Sequence, residues 1–174
     1  SDGTSGFKAE TGRYHLYISL GCPWAHRTAL LWKLKGLENV IGLSIVDPVI
    51  SDRGWKFSDK SGCIADTVNS DDYLWQIYVK SDPNYTGRVT VPVLWDKQSG
   101  KIVNNESRQI IQMFDREFTE YANSTDFYPV DLQLEIDRVM DKIYQPINNG
   151  VYRSGFAVSQ AAYNEAVTEL FTAL

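Results

Sequence analysis

Cysteine is scarce in this chain: its 174 residues hold two, Cys22 and Cys63. That number excludes a disulfide scaffold and suits a reducing, cytoplasmic setting; one bridge between the two stays open but has no motif behind it. Histidine is equally rare. His15 and His26 have no partner at metal-ligand spacing, so the expectation is no metal, with each histidine in the core or in solvent. No apolar run is long enough to span a membrane. No basic-start, apolar-middle leader opens the chain either. It begins at Ser1 without a methionine, and the expectation is that the natural start lies further upstream. Lysine and arginine together number 17 against 22 acidic residues, a net charge of -5. No basic stripe interrupts that balance, which argues against a nucleic-acid partner. Hydrophobic residues make up 43% of the chain, enough for a sizeable core.

The opening segment "SDGTSGFKAETG" is rich in Gly and Ser and reads as loop. "RYHLYIS" then alternates, with Tyr14, Leu16 and Ile18 on one face, and predicts a strand. Gly21 permits a turn, and Pro23 suits a first helical position, where its missing N–H costs nothing. "WAHRTALLWKLKG" predicts a helix with Ala25, Thr28, Ala29 and Trp32 on one side and Gly36 as its stop. "VIGLSIV" over 40–46 predicts a second strand, and β–α–β favours a parallel pair. Residues 47–70 form a long polar loop carrying Trp55 and Cys63; loops of that length are usually functional or disordered. "DDYLWQIYVK" predicts a helix with Asp71 or Asp72 near its N-cap. "VTVPVLWD", 89–96, predicts a strand with Pro92 inside it, which requires an edge, a bulge or a cis bond. "KIVN" pairs with it as a hairpin, and "NESRQIIQMFDREF" follows as a helix. "VDLQLEIDRVMDKIYQPINNG" predicts one long helix and "SQAAYNEAVTELFTAL" another, capped by Ser159. The expectation is a mixed α/β domain over 1–118 and the start of an all-helical domain over 128–174. Two helices cannot bury their stripes alone, so the helical part is expected to continue past Leu174.

Cys22 sits between the first strand and the first helix, in "SLGCPWAHR". The thiolate is the reactive form of cysteine, and the free N–H groups and dipole of a helix start favour it. A buried, inert cysteine is the alternative. The second cysteine of a C-x-x-C motif is replaced by Ala25 here, so a disulfide formed at Cys22 needs an outside thiol to resolve it.

The element order β-α-β-α-β-β-α, with a proline before a hairpin, matches a thioredoxin-like fold. "GRYHLYISLGCPWAHRTALLWKLKGLE", "GRVTVPVLWDKQSGKIVNNES" and "NNGVYRSGFA" resemble the glutathionyl-hydroquinone reductases, the Xi-class branch of the glutathione transferases, over nearly the whole chain. The resemblance implies a thioredoxin-like N-terminal domain followed by an all-α glutathione-transferase C-terminal domain, incomplete in this chain. It makes Cys22 the nucleophile that takes glutathione from an S-glutathionyl-hydroquinone as a mixed disulfide. It implies glutathione as cosubstrate, aromatic glutathionyl conjugates as substrates and a homodimer.

The glutathione cradle can also be argued from the residues. A tripeptide can pair with the backbone of Val91 if the Val91–Pro92 bond is cis. Ser107 and the helix start suit the γ-glutamyl carboxylate, and Glu106 the ammonium; a plain capping role for Asn105 or Ser107 is the alternative. By resemblance Trp55 and Arg88 hold the glycyl end, and Arg88 can grip a carboxylate with its fork of donors. Tyr152 resembles the family tyrosine that bonds the phenolic oxygen of the substrate. For each, a structural role is the alternative: a loop anchor for Trp55, a surface arginine for Arg88, a residue following a glycine turn for Tyr152. Two rival functions stay open: an Omega-like thioltransferase or dehydroascorbate reductase, and a glutathione-transferase-like binding protein without turnover.

Overall fold

The structure, a computed structural model, describes Thr4 and residues 6–174. It falls into two compact units that divide between Asp126 and Phe127.

The first unit is built on a four-stranded sheet. β1 (Tyr14–Ser19) and β2 (Gly42–Val46) pair in parallel, joined through α1 (Pro23–Leu34). β3 (Val93–Asp96) runs antiparallel to β1, and β4 (Lys101–Asn104) antiparallel to β3, giving the order β2-β1-β3-β4. α2 (Leu74–Ser81) precedes β3, and α3 (Ser107–Arg116) follows β4 and packs on α1. This is the expected thioredoxin-like order. Every residue of β1 is buried, because the strand is interior to the sheet. The predicted α1 face is also found: Ala25 and Thr28 are buried, while Ala29 and Trp32 pack half-buried against the core. Gly36 ends that helical stretch at φ 71°, a left-handed conformation that glycine adopts without a Cβ penalty.

Two local expectations are corrected. The strand predicted over 89–96 begins only at Val93. Pro92 has no N–H for a ladder, and the Thr90 N–H and C=O both bond the Tyr78 hydroxyl instead. The N-cap of α2 is Tyr73, not Asp71 or Asp72. Gln76 reaches back to the Tyr73 N–H at 2.9 Å, while Asp71 pairs with Lys80 at 2.7 Å. The predicted long loop is present and is tied to the core. Asp66 is buried and accepts from the Tyr17 hydroxyl and from the backbone N–H groups of Val68, Asn69 and Asp71.

In the second unit the predicted single helix over 130–150 is α4 (Gln133–Ile143), then a wide turn over Tyr144–Asn148, then α5 (Gly150–Gly155). The wide turn closes with Asn149 N–H on the Tyr144 carbonyl; Pro146 lies inside it and cannot donate. Gly150 begins a helix rather than a turn, so Tyr152 is helical. α6 (Gln160–Ala173) is capped by Ser159, whose hydroxyl accepts from Ala162 N–H at 3.2 Å.

Two buried polar features hold the first unit together. Lys35, at the end of α1, places its ammonium 3.0 Å from Asp115 of α3, with both side chains 3% exposed; it also donates to the Thr125 carbonyl. His15, on β1, is a core histidine. Ser44 gives its only proton to the Ala65 carbonyl, so His15 Nε2 must be the donor across the 2.8 Å contact to Ser44. A Cβ on Gly42 would lie 2.4 Å from the other ring nitrogen; only glycine lets β2 pass there.

Burial pushes the His15 imidazole down to about 4 from 6.5, with Asp66 opposing and Lys97 adding to the shift. The unfolded chain therefore takes up a proton on this residue below about pH 6.5 that the folded protein refuses until about pH 4. Stability is lost as pH falls through that window, by up to about 3 kcal/mol from this group. Urea unfolding of the parent and of His15→Gln across the window checks it: the parent should show the steeper loss on acidification, and equal slopes would refute it.

Candidate active site

Cys22 is the N-cap residue of α1, with extended backbone and Pro23 in the first helical position. Its N–H bonds the Ser19 carbonyl, and its carbonyl accepts from His26 N–H, the first bond of the helix. The N–H groups of a first turn have no intrahelical acceptors and open toward this end. No acidic residue occupies that turn. The sulfur is half-buried and lies 3.7 Å from the Val91 carbonyl oxygen. The Val91–Pro92 bond is cis, and among the described residues no group accepts from the Val91 N–H.

On the other side of α1 lies the start of α3. Glu106 is its N-cap and accepts from Arg108 N–H at 3.2 Å; Ser107 is its first residue and is buried. The capping expected of Asn105 or Ser107 thus falls to Glu106. Arg27, one turn into α1, donates from Nε (2.9 Å) and Nη2 (2.6 Å) to the Ser107 hydroxyl oxygen. The same guanidinium lies 3.6 Å from the Glu106 carboxylate and 4.9 Å from the Trp24 ring centre. Tyr78 of α2 closes the circuit. Its hydroxyl bonds Thr90 and receives the Asn105 side-chain amide at 3.2 Å. Chain segments before Pro92 and before Glu106 are thereby fixed to one another.

The structure thus joins Cys22, Val91, Glu106 and Ser107 in one ring of contacts through Arg27 and Tyr78. Among the described residues no hydrogen bond or ion pair links the side chain of Trp55 or Arg88 to that ring. Trp55 is half-buried against the core, with its carbonyl accepting from Leu74 N–H at 3.0 Å. Arg88 is exposed three residues before Val91; its carbonyl accepts from the Tyr85 hydroxyl at 2.7 Å. Tyr152 belongs to the second unit, stacked on Phe156 with ring centres 6.3 Å apart. Arg27 and Tyr78 were not predicted as site residues. Arg27 stands within the quoted "CPWAHR", but its partner is 80 positions away.

Cys63 is a free thiol in the loop before α2 and forms no disulfide with Cys22. Among the described residues no group of three or more His, Cys, Asp or Glu could hold a metal ion, and no helix is long and apolar enough to cross a membrane. A cavity of about 260 Å³ lined by Phe7, Tyr14, Leu94, Met113, Glu117 and Phe118 contains none of the candidate residues. Its mostly apolar lining gives a polar tripeptide little to pair with, so the Cys22 ring, and not this cavity, is the candidate site.

Comparison with known proteins identifies the family and agrees with the fold. Residues 21–117 match the family model described as glutathione S-transferase, N-terminal domain. The chain is 52% identical over 174 residues to the glutathionyl-hydroquinone reductase YqjG of Escherichia coli, covering 99% of this chain and 53% of that protein. The solved Xi-class glutathione transferase of Natrialba magadii superposes with a TM-score of 0.94 at 54% identity, over 99% of this chain and 54% of the other. The glutathione-bound structure of YqjG superposes with a TM-score of 0.92 at 52% identity, over 96% and 55%. The chain spans about half the length of the curated relatives it matches. On its fold, its site and these likenesses, the chain belongs to the glutathione S-transferase family, within the Xi class.

Proposed function

We propose that this chain carries the glutathione-binding and nucleophilic half of a glutathionyl-hydroquinone reductase. The observation that carries the reading is the position of Cys22. It is the N-cap residue of α1, and its sulfur faces a backbone segment at Val91 whose N–H has no acceptor among the described residues. An extended tripeptide could pair with that backbone. Its γ-glutamyl carboxylate would meet the Ser107 hydroxyl and its ammonium would meet Glu106. Trp55 and Arg88 are assigned to the glycyl carboxylate, and Tyr152 to the phenolic oxygen of the aromatic ring.

The reaction runs in two steps. The Cys22 thiolate attacks the glutathione sulfur of the conjugate. The aryl carbon–sulfur bond breaks, a Cys22–glutathione disulfide forms, and the ring leaves with a proton as the hydroquinone. A second glutathione thiolate then attacks the glutathione sulfur of that disulfide. Oxidised glutathione departs and the Cys22 thiolate is restored. The conjugate is reduced at carbon and the two glutathione sulfurs are oxidised together, so the electrons balance. With Ala25 buried at the position of a resolving cysteine, the second thiol comes from solution.

In this reading 1–118 is the thioredoxin-like glutathione-binding domain and 128–174 the start of an all-helical domain. The setting is cytoplasmic and the assembly a homodimer; no metal, nucleic acid or membrane takes part. Parallel assays of the whole protein test it, with a glutathionyl-hydroquinone, a mixed disulfide and dehydroascorbate as substrates. The quinone conjugate should turn over fastest. Preference for either of the others would move the assignment to an Omega-like activity, and no turnover of any would leave a binding protein.

A further inference from the structure

We infer that Arg27 is a positioning residue that fixes the Ser107 hydroxyl as a donor and so selects thiol peptides carrying a free α-carboxylate at their γ-glutamyl end. The inference rests on the proposed glutathione reading and adds a residue to it. A serine hydroxyl has one proton and two lone pairs. Arg27 Nε and Nη2 both donate to the same Ser107 oxygen, at 2.9 and 2.6 Å, and together they fill its acceptor capacity. What remains is the hydroxyl proton, which must go to an acceptor. Glu106 stands 3.5 Å from the hydroxyl, at the limit of a hydrogen bond, so a shorter bond to an incoming carboxylate is favoured. Donation from a cation also polarises the O–H bond and strengthens it as a donor.

The guanidinium is itself held. It lies over the Trp24 ring at 4.9 Å and beside Glu106 at 3.6 Å, and its side chain is 24% exposed. A lysine would keep the charge but not the fork that places two donors on one oxygen. A neutral amide or an amine at the same place on the ligand would meet a donor and a cation, and bind less well. Discrimination is therefore expected at the ligand's carboxylate and not along the rest of the peptide.

The test measures binding of S-methylglutathione and of its analogue lacking the γ-glutamyl α-carboxylate. The proteins are the parent chain at full length, Arg27→Gln, Arg27→Lys, Ser107→Ala and Arg27→Gln/Ser107→Ala. The parent should prefer S-methylglutathione by about tenfold or more, the size of a charge-assisted hydrogen bond. Arg27→Gln should reduce that preference to a few-fold, as Ser107→Ala does, and the double variant should lose little more. Arg27→Lys should fall between Arg27→Gln and the parent, and it carries the test if circular dichroism shows Arg27→Gln unfolded. An Arg27→Gln protein that keeps the parent's preference, or that loses both ligands in equal measure, overturns the inference while leaving the glutathione reading intact. A parent that binds neither ligand overturns both.

Discussion

Replacing Cys22 by serine should lower turnover of a glutathionyl-hydroquinone by on the order of a thousandfold or more, the scale on which removal of a nucleophile acts. A serine hydroxyl cannot form the disulfide through which the proposed reaction passes, and at neutral pH it is far less ionised than a thiol. The substitution changes one atom at the cap of α1. The Ser19 and His26 backbone bonds that build the cap do not involve the side chain. Glu106, Ser107 and Arg27 keep their mutual contacts, so affinity for S-methylglutathione should change by only a few-fold. Steady-state assays and binding measured side by side check both halves. Full turnover by the serine variant would remove Cys22 from the reaction, and a matched loss of binding and turnover would reduce it to a structural role.

The second large effect concerns stability. Asp115→Ala should destabilise the first unit by about 3–5 kcal/mol, because it leaves the buried Lys35 ammonium without its counter-charge. For a unit of this size that corresponds to a fall in Tm of roughly ten degrees or more. The Thr125 carbonyl still accepts from Lys35, but a neutral carbonyl cannot replace a carboxylate. Lys35→Met/Asp115→Leu should recover most of the loss, since an apolar pair of similar volume removes both charges at once. Thermal and urea unfolding of the single and double variants separate the two contributions. A double variant no more stable than Asp115→Ala would mean that packing, and not charge burial, sets the cost. The same pair joins the C-terminal ends of α1 and α3, opposite the ends that carry Arg27 and Ser107, so its loss should also loosen the Arg27–Ser107 contact.

Much of this was legible locally. The start of α1 could be read because strand, glycine, cysteine and proline are chain neighbours, and helix-start rules act over three or four residues. The buried face of α1 and the alternation of β1 followed from periodicity for the same reason. What failed was competition between local partners. Asp71 is a good N-cap by type, but Lys80 takes its carboxylate, and Gln76 serves the Tyr73 N–H instead. Pro146 was in view inside the predicted long helix. Its missing donor widens the turn there without ending the helical path, an outcome the pattern of apolar residues does not distinguish from a continuous helix. Of the candidate site, Cys22, Val91, Glu106 and Ser107 were named from the sequence, and the contacts that brace them were not. Arg27 meets Ser107 and Tyr78 meets Asn105 only after the sheet has brought α1, α2 and α3 to one end. No local pattern carries contacts across 80 or 27 positions.

Mass spectrometry of the whole protein mixed with a glutathionyl-hydroquinone, in the absence of free thiol, addresses the nucleophile most directly. The account predicts a single glutathione adduct on the peptide containing Cys22, release of an equal amount of hydroquinone, and discharge of the adduct as oxidised glutathione when glutathione is added. Hydroquinone released with Cys22 unmodified throughout, or an adduct confined to Cys63, would contradict it.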